Sequence, residues 1–187
     1  MQLIQDQHNV TRWVHEYSDA LYRYARQRVR SKHQADDLVQ ETFLSAWRNV
    51  RQYNGAASVK SWLFTILKNK LIDHYRKVAS QQIDLLGQDD SPFFDEADHW
   101  RIGHYPQQWS VEAETKMETK EFYRVFDDCK SKLKELHASV FMMKYIDGLS
   151  SEEICRLLKL SAANYWVIMH RAKVQLRACL ELNWFTR

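Results

Sequence analysis

The chain has 187 residues, 45% of them hydrophobic and 13% aromatic, enough to pack a core and too apolar for wholesale disorder. Its net charge of +3 hides a segregation: residues 1–79 hold 13 Lys/Arg against 7 Asp/Glu, residues 80–121 hold 3 against 10, and residues 122–187 hold 11 against 7. No apolar run is long enough to span a bilayer, and Met1–Asp6 lacks the basic start and apolar middle of a signal peptide, so membrane insertion is excluded and a cytoplasmic location is expected.

Glycine and proline parse the chain. Gly55, Gly87, Pro92, Gly103, Pro106 and Gly148 mark turns and loops, and the long intervals between them read as helix. A first helix is predicted over 10–31, with Val10, Trp13, Val14, Tyr17, Leu21, Tyr24, Ala25 and Val29 recurring at three- and four-residue steps. A second is predicted over 34–51 on Leu38, Val39, Phe43, Ala46 and Val50. The third covers 58–79, with Val59, Trp62, Leu63, Ile66, Leu67, Leu71 and Tyr75 on its inner stripe. Three such amphipathic helices pack as a small bundle.

Residues 80–114 change character. Acidic runs such as Asp89-Asp90 and Asp95-Glu96-Ala97-Asp98 alternate with Phe93, Phe94, Trp100, Tyr105 and Trp109, which reads as an acidic tether with docking aromatics. A second helical block starts near 112, its stripe formed by Phe122, Val125, Phe126, Cys129, Leu133 and Leu136, and a further helix covers 137–146. Ser150 and Glu153 then form an S-x-x-E capping box that opens a short helix carrying Ile154, Leu157 and Leu158. Leu160-Ser161 makes a turn, and Ser161 caps a second helix from Ala162 to about Leu182, completing a helix-turn-helix signature. The expected fold is all-α: a helical domain over 1–79, a flexible acidic linker over 80–114, and a second helical domain over 115–187. Two basic blocks joined by an acidic tether suit a bipartite nucleic-acid binder.

Cys129, Cys155 and Cys179 are odd in number, widely spaced and in no CxxC arrangement, which reads as three reduced thiols filling space on helices. His104, His137 and His170 supply no ligand spacing, so no metal and no cofactor are expected. No P-loop, GxGxxG, HExxH or nucleophile elbow is present, and Asp73 and His74, as neighbours on a helix, point about a hundred degrees apart and make a poor acid/base pair. The chain is therefore not expected to be an enzyme.

Asp36 to Trp47, DDLVQETFLSAW, followed by Ser61-Trp62-Leu63-Phe64 and by Lys68-Asn69-Lys70-Leu71-Ile72-Asp73-His74-Tyr75-Arg76-Lys77, resembles conserved region 2 of the small extracytoplasmic-function bacterial sigma factors. The C-terminal third resembles region 4 of the same group, His170-Arg171-Ala172-Lys173 matching the aromatic- or His-Arg-Ala-Lys segment of its second helix. The resemblance covers about 10–79 and 118–182 and implies a protein that binds core RNA polymerase, recognises a two-part promoter and helps to open it. It makes the second helix the polymerase-docking element, gripping a basic coiled coil of the largest subunit through Asp37, Gln40 and Glu41, with Phe43 and Trp47 shaping the surface beneath; the flap is the second polymerase contact. It places the minus-ten element on the third helix and gives the loop from Arg51 to Ser58, with Asn54, the capture of an extruded base.

Lys60, Lys68, Lys70, Arg76 and Lys77 supply charge there, Asn69, Asp73 and His74 supply hydrogen bonds to base edges, and Tyr75 stacks where it is exposed. Trp62 sits at a core spacing more than at that of a base platform. In the helix-turn-helix, the second helix enters the major groove. Ser161 caps it, Asn164 pairs with adenine, and His170, Arg171 and Lys173 contact phosphate or guanine. The run Tyr165-Trp166-Val167-Ile168-Met169 departs from the small polar residues usual in mid-helix; Met169 is assigned to the core, and Trp166 or Val167 to thymine methyls. The resemblance also implies an anti-sigma partner. Two other readings remain at this stage: a stand-alone helix-turn-helix regulator, and a polymerase-binding adaptor without promoter recognition.

Overall fold

The computed structural model describes residues 2–82 and 120–185, with side chains from residue 11 in the first stretch and to residue 184 in the second. All regular structure among the described residues is helical. Contacts divide the chain into two units, Met1–Lys77 and Val78–Arg187.

The first unit is built from α1 (Gln2–Arg26), α2 (Lys32–Arg48) and α3 (Val59–Gln82) up to Lys77, the last five residues of α3 belonging to the second unit, with a 3-10 turn at Val50–Gln52. Where the sequence pattern carries the first helix on to residue 31, the chain instead turns after Arg26. The N–H groups of Arg28 and Val29 both return to the Ala25 carbonyl, and the Arg26 guanidinium donates to the Val29 carbonyl at 3.3 Å. That turn leaves Ser31 extended, and it opens α2 through a reciprocal cap: its hydroxyl accepts the Gln34 N–H at 3.1 Å, and the Gln34 side chain accepts the Ser31 N–H at 3.0 Å. Helix α3 continues three residues beyond its predicted end, so Ser80–Gln82 of the expected tether are helical. The remainder of that tether, and the predicted helical start near 112, lie outside the described residues.

The core of this unit draws Trp13, Leu21, Ala25 and Val29 from α1 and its turn, Leu38, Val39, Phe43 and Ala46 from α2, and Leu63, Leu67, Leu71 and Tyr75 from α3. Val14, expected inside, is exposed, whereas Trp13 beside it is buried. Three aromatic rings close one region of the unit, Trp62 lying 4.9 Å from Tyr53 in a stacked pair and meeting Trp13 edge-on at 6.0 Å. Tyr75 is buried and its hydroxyl donates to the Arg28 carbonyl at 3.0 Å, which ties α3 to the turn after α1. The Arg28 guanidinium, itself buried, lies 3.5 Å over the Tyr24 ring and donates to the Tyr24 carbonyl at 3.1 Å.

The second unit contains α4 (Lys120–Ser131), α5 (Glu135–Tyr145), α6 (Ser151–Leu158) and α7 (Ala162–Leu180), followed by a π-helical turn at Glu181–Phe185. Leu133, Leu136, Val140 and Met143, Ile154 and Leu158, and Tyr165, Ile168, Met169, Ala172, Leu176 and Leu180 are among its buried apolar residues, so α7 is packed along its length. The expectation of three reduced thiols is corrected here. Cys129 on α4 and Cys179 on the last turn of α7 form a disulfide, with Cα atoms 5.7 Å apart, and Cys155 is the free cysteine. A separation of 50 residues hides this pairing from any local motif; it follows from the packing of α4 on the end of α7.

Candidate partner and nucleic-acid interfaces

Helix α2 presents a defined outer stripe. Asp37, Gln40 and Glu41 are exposed, and Leu44 and Trp47 extend the same face at 49% and 47% exposure. Steps of three and four residues make this one continuous edge, acidic toward the N-terminus and apolar toward the C-terminus. Phe43 is buried at 8%, so it supports this surface from below and does not offer itself to a partner. Leu44 was not singled out from the sequence, although its position seven residues after Asp37 and three after Glu41 carries the signal. Glu41 is not idle: its carboxylate lies 3.3 Å from the Lys70 ammonium of α3, with the two side chains 57% and 31% exposed.

The surface expected to handle opened DNA is organised by α3 and the loop before it. Tyr53 donates through its hydroxyl to the Ala57 carbonyl, and the Asn54 side-chain oxygen accepts the Ala56 N–H at 3.0 Å. Gly55 adopts φ +75°, the left-handed conformation that lets so short a loop reverse. Ser58 then accepts the Ser61 N–H at 3.2 Å at the start of α3. Along α3, Lys60, Lys68, Asn69, Asp73 and Lys77 are exposed, whereas His74 and Arg76 are half-buried. Asn69, Asp73 and Lys77 fall on one stripe at four-residue steps, with Arg76 ion-paired to Asp73 at 3.0 Å beside it. Tyr75 is removed from the set of stacking residues, because its ring is inside and its hydroxyl is committed to Arg28. Trp62 is half-buried in the aromatic group with Trp13 and Tyr53, in keeping with its core spacing.

In the second unit the helix-turn-helix is fastened at each joint. Ser150 and Glu153 form the reciprocal cap expected of them, Glu153 accepting the Ser150 N–H at 2.8 Å and Ser150 accepting the Glu153 N–H at 3.1 Å. The backbone bond to Ser150, reinforced by its hydroxyl, holds the Glu153 carboxyl below the ordinary glutamate value. Helix α6 ends on Lys159 at φ 56°, a non-glycine residue in the left-handed region, and the Leu160 N–H reaches back to the Cys155 carbonyl at 2.9 Å. Ser161 caps α7 by accepting the Asn164 N–H at 3.1 Å.

The apolar run at the start of α7 is divided by helical geometry. Tyr165, Ile168 and Met169 are buried, whereas Trp166 and Val167 stand at 61% and 40% exposure. Trp166, His170 and Lys173 line up at four- and three-residue steps on the outer face, with Ala163 and Val167 alongside, and Asn164 and Arg171 half-buried at its margins. The Lys173 ammonium also lies 5.5 Å over the ring of Tyr145 on α5, itself half exposed. Arg156 and Lys159, on α6 and at the turn, are exposed cations that sequence reasoning passed over. Among the described residues no group of His, Cys, Asp or Glu is arranged to hold a metal ion, and no helix is long and apolar enough to cross a membrane.

A family profile described as Sigma-70 region 2 matches residues 13–81, and one described as Sigma-70, region 4 matches residues 123–176. The chain is similar to a probable RNA polymerase sigma factor of Haemophilus influenzae, 37% identical over 160 residues that cover 84% of this chain and 82% of that one. It is also similar to the ECF RNA polymerase sigma factor SigX of Bacillus subtilis, 27% identical over 166 residues covering 89% and 80% of the two chains. Among solved structures it resembles the sigma factor RpoE, crystallised in complex with the anti-sigma factor NepR from Bartonella quintana, with a TM-score of 0.46, 19% identity, and coverage of 94% of this chain and 98% of that one. The two sigma regions in order, together with a relative of 37% identity across most of both lengths, establish that the chain belongs to the extracytoplasmic-function group of RNA polymerase sigma factors.

Proposed function

We propose that the stripe Asp37, Gln40, Glu41, Leu44 and Trp47 is the surface by which this sigma factor grips core RNA polymerase, and that α3 and α7 are its two promoter-reading elements. As a member of its family the chain is an alternative sigma factor directing transcription initiation. The bond-making chemistry of transcription then belongs to the polymerase, in the compartment where the polymerase works.

The observation that carries the docking assignment is the composition of the α2 edge. It joins three exposed polar or acidic side chains to two exposed apolar ones, over a buried foundation of Leu38, Val39, Phe43 and Ala46. Carboxylates of this kind make charge-assisted contacts with a basic coiled coil of the largest subunit. Leu44 and Trp47 are large apolar side chains that become energetically dominant once desolvated in an interface. The region-4 unit would meet the flap. In the first unit, Asn54 stands in the loop suited to an extruded base, and Lys60, Lys68, Asn69, Asp73, His74, Arg76 and Lys77 follow the opened minus-ten strand. In the second, Ser161 and Asn164 open the recognition helix. Trp166 and Val167 meet thymine methyls in the minus-thirty-five element, and His170, Arg171 and Lys173 bind phosphate or guanine.

An anti-sigma protein that covers these surfaces is the regulator this reading calls for. The domain boundaries follow the same logic: region 2 over 1–79, the acidic tether over 80–114, and region 4 over 115–187. The exposed stripe on α2 favours this assignment over a stand-alone repressor, which has no need of such an edge.

The test is a titration of fluorescently labelled protein against bacterial core polymerase, read by anisotropy. Asp37→Arg combined with Trp47→Ala should abolish saturable binding while the circular dichroism of the variant stays helical. In parallel, Arg171→Ala should weaken promoter-directed transcription and spare core binding. Full-strength core binding by the double variant would remove α2 as the docking element.

A further inference from the structure

Cys129 and Cys179 are two thiols brought together by the fold, in surroundings that differ sharply on the two sides. Cys129 is 1% exposed, packed with Leu176 and Leu180 under Phe122, Val125 and Phe126. Cys179 is half-buried, and its sulfur lies 3.8 Å from the Lys132 ammonium and 3.5 Å from the Asn183 side-chain amide. A cavity of about 690 Å³ borders Cys129 and is lined also by Arg124, Asp128 and Trp184 and by Lys132 and Asn183, the two residues that touch the Cys179 sulfur; Cys179 itself is not in its lining. Arg124, Asp128 and Lys132 are exposed, so the cavity is bordered by solvated charge.

We propose that Cys129 and Cys179 are a reversible redox modification site, in which Cys179 is the entering thiolate and Cys129 the resolving one. A cation and a hydrogen-bond donor at a sulfur favour its thiolate form, and among the described residues the sulfur of Cys179 has both. Burial among Leu and Phe side chains disfavours the thiolate of Cys129 until a partner sulfur stands next to it. The co-reactant is a low-molecular-weight disulfide such as glutathione disulfide. The Cys179 thiolate attacks one of its sulfurs, forming a mixed disulfide and expelling one glutathione thiolate. Cys129 gives up its proton and attacks the Cys179 sulfur, forming the protein disulfide and expelling the second glutathione. Two protein thiols are thereby oxidised, one glutathione disulfide is reduced to two glutathiones, and the two thiol protons end on them.

A sigma factor that works beside the polymerase, a setting that rests on the proposed function, works among reduced thiol buffers, where disulfides that form are transient and redox-sensing rather than structural. The consequence is local to the second unit. The bond encloses α5, α6 and most of α7, the whole helix-turn-helix, in a covalent loop with a sequence separation of 50. Closure therefore restrains the DNA-reading element.

The experiment equilibrates the purified full-length protein in mixtures of reduced and oxidised glutathione, approached from both the reduced and the oxidised side. Reactions are quenched with acid, and remaining thiols are counted by the gel shift of a polyethylene-glycol maleimide and mapped by mass spectrometry. The expected result is a cooperative loss of two thiols, Cys129 and Cys179, with the same midpoint from both sides and no change in Cys155→Ser. In Cys129→Ser, Cys179 should accumulate the glutathione mixed disulfide. In Cys179→Ser, Cys129 should accumulate it at least tenfold more slowly, with circular dichroism confirming that both variants fold. Lys132→Gln should slow the first step severalfold at unchanged helicity. A pair that stays closed in a large excess of glutathione, a pair that never closes, or faster capture at Cys129 than at Cys179 would each overturn the proposal. None of these outcomes depends on polymerase binding, so the site and the sigma assignment fail separately.

Discussion

The pairing of Glu41 with Lys70 makes a sharp demand on the docking assignment. A carboxylate cannot give its full strength to a polymerase cation while an ammonium of its own chain lies 3.3 Å away. With side chains 57% and 31% exposed, the pair is hydrated and screened, and such pairs are worth about 0–1 kcal/mol. Lys70→Gln releases Glu41 from that competition. If Glu41 must leave Lys70 to reach the polymerase, the substitution tightens core binding by up to about fivefold, the factor that corresponds to the upper end of that range. The stability of the free protein in urea should fall by no more than about 1 kcal/mol. The assay is the anisotropy titration with core polymerase in the absence of DNA, repeated at raised salt. The gain should shrink there because both the internal pair and the intermolecular contact are screened. Tenfold weaker binding by Lys70→Gln, matching that of Glu41→Gln, would refute the reasoning: Glu41 would then serve the internal pair, or Lys70 itself would be a polymerase contact.

Three further outcomes follow from the local geometry. Lys159→Gly should raise the melting temperature of the second unit, by an amount corresponding to about 1 kcal/mol, because an exposed side chain at φ 56° sits where only glycine is unstrained; calorimetry of the full chain reads this. The Glu153 carboxyl is held below its ordinary value by the Ser150 backbone, so its contribution is present above the unfolded-state value and is lost as pH falls through the folded one. Glu153→Gln should therefore flatten the acid limb of stability, seen as a difference from the parent protein that closes as urea unfolding is followed down through the carboxylate range. Tyr75→Phe should cost about 1–2 kcal/mol in chemical denaturation by leaving the Arg28 carbonyl short of a buried donor, with no loss of DNA stacking in a fluorescence assay with single-stranded minus-ten oligonucleotide.

Helical periodicity made most of the fold legible. Leu38, Val39, Phe43 and Ala46 recur at steps that allow one face only, and all four are buried. The S-x-x-E cap at Ser150 was readable because both its partners lie within four residues, and the same reasoning applied at Ser31 would have found the S-x-x-Q cap that opens α2. What escaped was non-local. Cys129 and Cys179 meet only because α4 lies on the end of α7, and that pairing has no signature in a sequence window. The burial of Tyr75 was legible from its place on the inner stripe of α3, but the bond of its hydroxyl to the Arg28 carbonyl, 47 residues earlier, was not. The ending of α1 at Arg26 was missed for a related reason, since Gln27 to Arg30 contain no glycine or proline and the turn is made by backbone and guanidinium bonds to carbonyls.

The surfaces are legible in a different sense. Periodicity says which side of a helix is outside, but not what that side is for. On α2 the outer side joins carboxylates to Leu44 and Trp47, and on α7 it joins Trp166 and Val167 to His170 and Lys173. In both places apolar side chains stay in water although the helix beneath already has a full buried face. Burial cannot account for them there, because Phe43, Ile168 and Met169 occupy the interior positions that Trp47 and Trp166 would otherwise compete for. An exposed tryptophan over a satisfied core gains its stabilisation only when a second surface covers it. Under the proposed function the charge beside each one sets the sign of that surface: basic where Asp37 and Glu41 stand, and anionic where Lys173 does.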